Sequence, residues 1–312
     1  MLPDIVRKFA NTVFFFPHEE CEESPILSTF QKIIPLSIRK QFRPLRYRCV
    51  AMSKLLRVKK IVTKYLGPEY APDYKGIEID ITYHCDLKCF YCNRFCDVLP
   101  PDVNISIVQI EKFVRESIEL KRRWLWIHLS GGEPTLHPHL KEIIDILLDY
   151  KHTFSPRTAI QILTNGYSPF TKAIIKQLPA EVEIIDSNKK SRLQNLFVKT
   201  TQAPIDLIGS IDVDFSNGCP IPLCCGVGLT PYGYYPCVVA GAIDRIFGFN
   251  KGRRNLPPKN DTMIDLLKIF CPYCGFFPCY RPFKIKTEED VSPSWKKALN
   301  NYSTSKPALT LY

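Results

Sequence analysis

The sequence predicts an α/β protein in which a largely parallel sheet curls into a partial barrel, with a basic extension before it and a small cysteine-rich module after it. Three observations carry that expectation. From Gly76 onward, short β-rich runs alternate with amphipathic helices, the pattern produced by strand–helix–strand units. From about Ser216 the alternation stops, and cysteine, proline, glycine and aromatic residues dominate as far as Phe283. Such a composition builds little apolar core and suggests a module held by metal. The chain also has 13 cysteines, an odd count.

The elements follow in order. Residues 1–75 form the amino-terminal extension, broken by Pro17, Pro25, Pro35 and Pro44. Its helical candidate runs from about Cys49 to Tyr65, with Val50, Leu55, Leu56, Val58, Ile61 and Val62 among cations, and Gly67–Pro68 end it. Residues 76–215 carry the alternation. Strands are expected at Ile77–Thr82, Trp124–Leu129, Ala159–Thr164, Val182–Ile185 and Leu207–Val213. Helices are expected at Ile105–Leu120, Leu140–Tyr150 and Ser168–Leu178. Residues 216–283 form the cysteine-rich module, with a helix at about Thr262–Phe270, and 284–312 read as a polar surface tail. No internal repeat is present.

Composition narrows the function classes. The longest apolar stretches, such as Ile143–Leu148, are far shorter than the roughly 20 residues that span a bilayer. The apolar run Val13–Pro17 is followed at once by Glu19 and Glu20, without a small-residue cleavage site, so no secretory signal is read and a cytoplasmic location is expected. Without export, metal ligation explains clustered cysteines better than a disulfide framework does. Cys21 and Cys49 stand apart and read as buried or incidental thiols.

The net charge of +11 has a single origin. Eleven Lys or Arg and no acid lie between Lys32 and Lys64, while the rest of the chain holds 31 of each sign. A stripe of this kind attracts anions. It reads as a solvated surface, as peripheral contact with an anionic membrane, or as a contact for RNA, a phosphorylated small substrate or an acidic peptide. No nucleic-acid motif supports RNA.

Directly after the first strand comes Cys85-Asp-Leu-Lys-Cys89-Phe-Tyr-Cys92. Short gaps between thiolates let successive sulfurs converge on one iron–sulfur cube. Three ligands leave one iron open for a substrate or cofactor, as a catalytic metal site requires. Cys96, as a fourth ligand, would instead give a closed structural site. This C-x3-C-x2-C pattern, with Tyr91 before the third cysteine, resembles the radical S-adenosylmethionine (SAM) superfamily. The resemblance implies a partial (β/α)6 TIM-like barrel and a [4Fe-4S] cluster whose open iron binds SAM. It also implies reductive cleavage of SAM to a 5′-deoxyadenosyl radical that abstracts hydrogen from substrate. An electron donor such as flavodoxin or ferredoxin is implied, together with a small-molecule or peptide substrate.

Ser130-Gly131-Gly132-Glu133-Pro134, at the end of the next expected strand, is similar to the superfamily's GGEP motif, which engages the SAM amino group. Two glycines allow close backbone approach, and Glu133 could add an acceptor. Thr164-Asn165-Gly166 ends the third strand as often seen in the superfamily, and Ser187 stands where a SAM ribose contact is common. Cys225 through Cys237, a glycine-containing run ending Tyr-Pro-Cys, is similar to the start of the SPASM or twitch modules that hold auxiliary clusters. Cys219, Cys225, Cys237, Cys271 and Cys274 are the expected ligands of one auxiliary [4Fe-4S] cluster, with a zinc ribbon as the alternative. Cys224 and Cys279 are left over. Gly233 to Cys237 is one residue tighter than the usual SPASM spacing. Asp212 and Asp214, placed at the end of the Leu207–Val213 strand, are the candidate catalytic carboxylates, with His128 and Asp186 near other strand ends.

Overall fold

The computed structural model describes residues 55–67, 72–96, 103–189, 191, 193–194, 200–209, 211–217, 219, 221–277 and 291–312. The basic run before residue 55, Cys21, Cys49, Cys279 and the side chain of Cys224 lie outside these residues. Among the described residues, no helix is long and apolar enough to cross a membrane.

The core is a six-stranded sheet. Its strands are β1 (Gly76–Thr82), β3 (Trp126–Gly131), β4 (Ala159–Thr164), β5 (Val182–Asp186), β7 (Val227–Thr230) and β8 (Gly233–Tyr235), in spatial order β5-β4-β3-β1-β7-β8. All neighbours pair in parallel except β7 and β8, which form an antiparallel hairpin. A second, two-stranded sheet joins β2 (Lys88–Cys89) to β6 (Leu193–Gln194). The fold class is therefore α/β with a parallel-dominated sheet, as the strand–helix alternation predicts.

Strand periodicity sorts the two faces of the sheet. Ile77, Ile79, Ile81, Ile127, Leu129, Ile160 and Ile162 point to one side. There they meet Ile110 and Phe113 of α2 (Ile107–Glu119) and Ile143, Ile144 and Leu147 of α3 (Leu140–Thr153). α2 starts where Ser106 and Gln109 form a reciprocal capping box, which satisfies two orphan N–H groups. Glu78, Asp80, His128 and Ser130 point to the opposite, inner side.

Three expectations are corrected. The strand expected over Leu207–Val213 does not form; Pro204–Ile208 is helix α5, Pro204 at its start fixing a helical φ, and Gly209 ends it. Val213 keeps only an isolated antiparallel bridge to Lys59. The amino-terminal helix is interrupted at residues 58–59, where that bridge lies, so its described part is helical at 55–57, turns at 58 and resumes as α1 (Lys60–Leu66), closed by Gly67 as expected. Finally, residues 291–312 are not a surface tail. Helix α9 (Pro293–Thr304) buries Trp295, Ala298 and Tyr302, and Trp295 packs on Phe95 with ring centroids 4.6 Å apart.

The hydrophobic core also crosses residue 216. Val227 and Leu229 lie in register with Ile77 and Ile79, and α7 (Val238–Phe247) adds Val239, Ile243 and Ile246 to the same cluster. The cysteine-rich segment thus shares the sheet rather than forming a core of its own.

Candidate active site

Every residue of β1 is buried, and the cysteine loop leaves from its carboxyl end. Thr82 sets the exit: its hydroxyl donates to Asn104 Oδ1 (2.6 Å) and accepts from the His84 amide (3.0 Å). The loop then folds on itself, with the Cys92 amide donating to Cys89 O (3.2 Å) and the Phe95 amide to Cys92 O (3.0 Å). Tyr91 is buried at a left-handed φ of 55°, and its carbonyl accepts from the Thr200 hydroxyl.

The glycine pair pins this loop. A Cβ on Gly131 would stand 2.0 Å from Thr82 O, and one on Gly132 would stand 2.1 Å from His84 O. That close approach lets the Gly132 amide donate to Thr82 O (2.7 Å) and the Glu133 amide to His84 O (2.8 Å). Pro134 opens a short 3-10 turn over 134–136. The Glu133 carboxylate is occupied internally. Its Oε1 accepts from the Thr135 amide, the Thr135 hydroxyl and the Thr164 hydroxyl, and its Oε2 accepts from the Asn165 amide at 2.7 Å. Glu133 therefore ties the end of β3 to the end of β4. Burial raises its pKa, and those donors oppose the rise.

Asn165 connects the tie to the cysteines. Its side-chain N–H group reaches Cys85 Sγ (3.9 Å) and Asp86 Oδ1 (2.8 Å). Ser187 donates to Thr164 O (2.9 Å), bracing the β4–β5 edge. Burial pushes the Cys85 thiol up to about 12, with the Leu87 amide opposing and Cys92, Asp86 and Cys89 adding to the rise. Three soft thiol donors on one half-buried loop, with N–H groups aimed at one of them, fit an iron–sulfur cluster, whose iron charge compensates clustered thiolates. Cys96 sits beside them in the core, hydrogen-bonded to Cys92.

The inner face holds residues the sequence reading missed. Glu78, Asp80, Ser130 and Arg94 form a buried group. Arg94 bonds Glu78 Oε1 and Asp80 Oδ1 (3.2 Å), and Ser130 Oγ lies 2.9 Å from each of the same two oxygens. Burial raises Asp80 and would lower Arg94, but Asp80 and Glu78 hold the guanidinium charged. The signal was present: parallel strands covered on both faces normally read as continuous apolar runs, whereas β1 alternates Ile with Glu and Asp. His128 lies next to Glu78 across the sheet, and burial lowers its pKa against Glu78, Gln161 and Glu183.

The second cysteine group collects from separate segments. Cys219, Cys237, Cys271 and Cys274 line one small apolar pocket together with Phe215, Phe270 and Phe277. Burial raises the Cys225 thiol, which also feels Cys237 and Cys219; Cys271, raised by burial, feels Cys274, Cys219 and Cys237. Among the described residues, no three His, Cys, Asp or Glu side chains meet closely enough to hold a single ion. With the Leu207–Val213 strand absent, the structural ground for Asp212 and Asp214 as strand-end carboxylates falls away. Asp212 is exposed at a φ of 59°, and Asp214 accepts from the Ser216 amide (3.1 Å) and hydroxyl (2.5 Å) at the start of a short turn. Asp186 is exposed and accepts from the Asn188 amide.

Comparisons with known proteins bear on the same region. Residues 79–191 match the sequence profile of the Radical SAM superfamily. A protein described as "Probable GTP 3',8-cyclase" from Methanococcus maripaludis is 36% identical over 99 residues, 32% of this chain and 33% of that protein. One of the same description from Archaeoglobus fulgidus is 34% identical over 101 residues, 32% of this chain and 31% of its own length. The chain thus spans about a third of the length of these relatives. Among solved structures, BtrN in complex with AdoMet and 2-DOIA aligns with a TM-score of 0.38 and 13% identity, over 71% of this chain and 98% of that one. Streptococcus suis SuiB bound to S-adenosylmethionine aligns with a TM-score of 0.27 and 16% identity, over 57% of this chain and 38% of that one. The profile match, the cysteine loop and the glycine turn coincide on one stretch of chain, so that over residues 79–191 the protein is similar to the radical SAM superfamily.

Proposed function

We propose that this protein is a radical SAM enzyme that abstracts hydrogen from substrate and passes the resulting electron to an auxiliary cluster. An enzyme of the superfamily whose profile residues 79–191 match would take a four-iron cluster and SAM, which together supply a 5′-deoxyadenosyl radical when reduced. The observation that carries the reading is the loop Cys85–Cys92, held against the ends of β3 and β4 by Gly131, Gly132 and Asn165. In this reading Cys85, Cys89 and Cys92 hold the cluster, Asn165 steadies Cys85, and the backbone around Gly131 and Gly132 lies open to the SAM amino group. Tyr91, Pro134 and Ser187 complete the proposed SAM surroundings.

The apolar pocket supports the auxiliary cluster of a SPASM- or twitch-like module, with Cys219, Cys225, Cys237, Cys271 and Cys274 as its ligand pool. Water-poor surroundings of this kind suit an electron acceptor. Oxidation of substrate, with flavodoxin or ferredoxin reducing the first cluster, is the net chemistry proposed.

Anaerobic reconstitution followed by dithionite and SAM tests the reading. Release of 5′-deoxyadenosine is expected, and its absence from a protein loaded with iron and sulfide rejects the enzyme. Iron near eight per chain supports the auxiliary cluster, and iron near four excludes it.

A further inference from the structure

The inner face of the sheet carries a row of polar groups in register. Glu78 on β1 faces His128 on β3, His128 faces Gln161 on β4, and Gln161 faces Glu183 on β5. Gln161 Nε2 donates to Glu183 Oε2 (2.6 Å). One step toward the cysteine loop lie Asp80 and Ser130; one step away, Trp126 stands opposite Gly76, its ring 6.0 Å from that of His128. Burying such groups in the middle of a sheet costs stability unless they are paired. Their pairing is incomplete. Asp80 is fully buried, yet among the described residues its Oδ2 has no hydrogen-bond partner, and neither has the Trp126 indole N–H.

Extending the function proposed above, we infer that this wall is the substrate-binding surface and that it takes an amine-bearing, hydrogen-bond-donating molecule in preference to a phosphorylated one. Charge gives the first reason. Three carboxylates (Glu78, Asp80, Glu183) line the wall, and Glu78 and Asp80 already engage the Arg94 guanidinium. His128 is held toward its neutral form by burial. An ammonium complements the remaining negative charge, whereas a phosphate meets like charge. Hydrogen bonding gives the second. The two orphans call for a ligand with both a donor, for Asp80 Oδ2, and an acceptor, for the Trp126 N–H; a hydroxylated amine offers both, whereas phosphate oxygens serve only the indole and leave Asp80 Oδ2 unsatisfied. The Trp126 ring supplies a third, since cations are attracted to the indole face.

One sugar skeleton in three charge states provides the probe: glucosamine, glucose and glucose 6-phosphate, each measured by equilibrium dialysis against the reconstituted, SAM-loaded protein. Glucosamine is expected to bind about tenfold more tightly than glucose 6-phosphate. Glu183→Gln, at an exposed position, and Glu78→Gln should each shrink that preference several-fold, with circular dichroism confirming the fold of both variants. Equal or tighter binding of glucose 6-phosphate, no detectable glucosamine binding, or a preference unchanged in both variants overturns the inference. Release of 5′-deoxyadenosine without any sugar is scored separately. Its loss strikes the radical SAM reading alone, and its presence without a charge preference strikes this one alone.

Discussion

The two cysteine groups reach their positions by opposite routes. Cys85, Cys89 and Cys92 belong to one short loop at the end of the central strand, and backbone hydrogen bonds from Gly132 and Glu133 hold its base. Cys219, Cys225, Cys237, Cys271 and Cys274 come from a loop, the entry to β7, the start of α7 and the end of α8 (Ile264–Phe270). What draws Cys219, Cys237, Cys271 and Cys274 together is apolar packing by Phe215, Phe270 and Phe277. The first arrangement is local and survives as a sequence pattern. The second exists only once the hydrophobic core has formed.

That contrast can be broken most decisively at the ligands. Cys92→Ala should abolish dithionite-driven release of 5′-deoxyadenosine, whereas Cys274→Ala should retain SAM cleavage and lose about four irons per chain. Equal loss of SAM cleavage in both variants would show that the two groups are not functionally distinct. Trp295→Ala comes next. It empties a fully buried site between Phe95 and Phe247, and about 3–5 kcal/mol of stability should go with it. Because the core is shared, denaturant unfolding should stay a single transition; two separate transitions would mean that the cysteine-rich segment folds by itself.

A smaller effect sharpens the local half. Asn165→Ala removes the N–H donor to Cys85 and Asp86, and groups that orient metal ligands typically contribute 10- to 100-fold in metal affinity or activity. Iron retention through gel filtration should fall correspondingly, with little change in thermal stability.

The smallest effect is a pH slope. His137 Nε2–H donates to Ile105 O (3.0 Å) while Nδ1 accepts from the His139 amide (3.1 Å), so only the neutral ring satisfies both contacts. Burial lowers its pKa, the Ile105 carbonyl opposes this, and His139 lowers it further. The unfolded chain therefore binds more protons as pH drops below about 6.5, and stability falls in that direction. A melting-temperature series from pH 7.5 to 5.5, read at roughly half-unit steps around that ordinary His value, should show the decline, and His137→Gln should flatten it.

Sequence reading recovered β1, β3, β4 and β5, with α2 and α3, to within a few residues at each end, because apolar periodicity and capping are local properties. It failed at Leu207–Val213. Alternating apolar residues there suggested a strand, yet Pro204 starts a helix and no neighbouring strand accepts the segment. It failed again at 284–312, where Trp295 and Tyr302 are too sparse to announce a buried helix. Glu78, Asp80 and Arg94 were overlooked since their meaning depends on β1 being covered on both faces.

The chain itself determined the cysteine loop and the glycine turn that grips it, because three thiols and two glycines at fixed spacing act through neighbouring backbone. Tertiary structure decided which carboxylates face inward, which cysteines share a pocket and where the carboxyl terminus packs. Those outcomes depend on strand register and on contacts between residues far apart in the chain, and no local pattern encodes either.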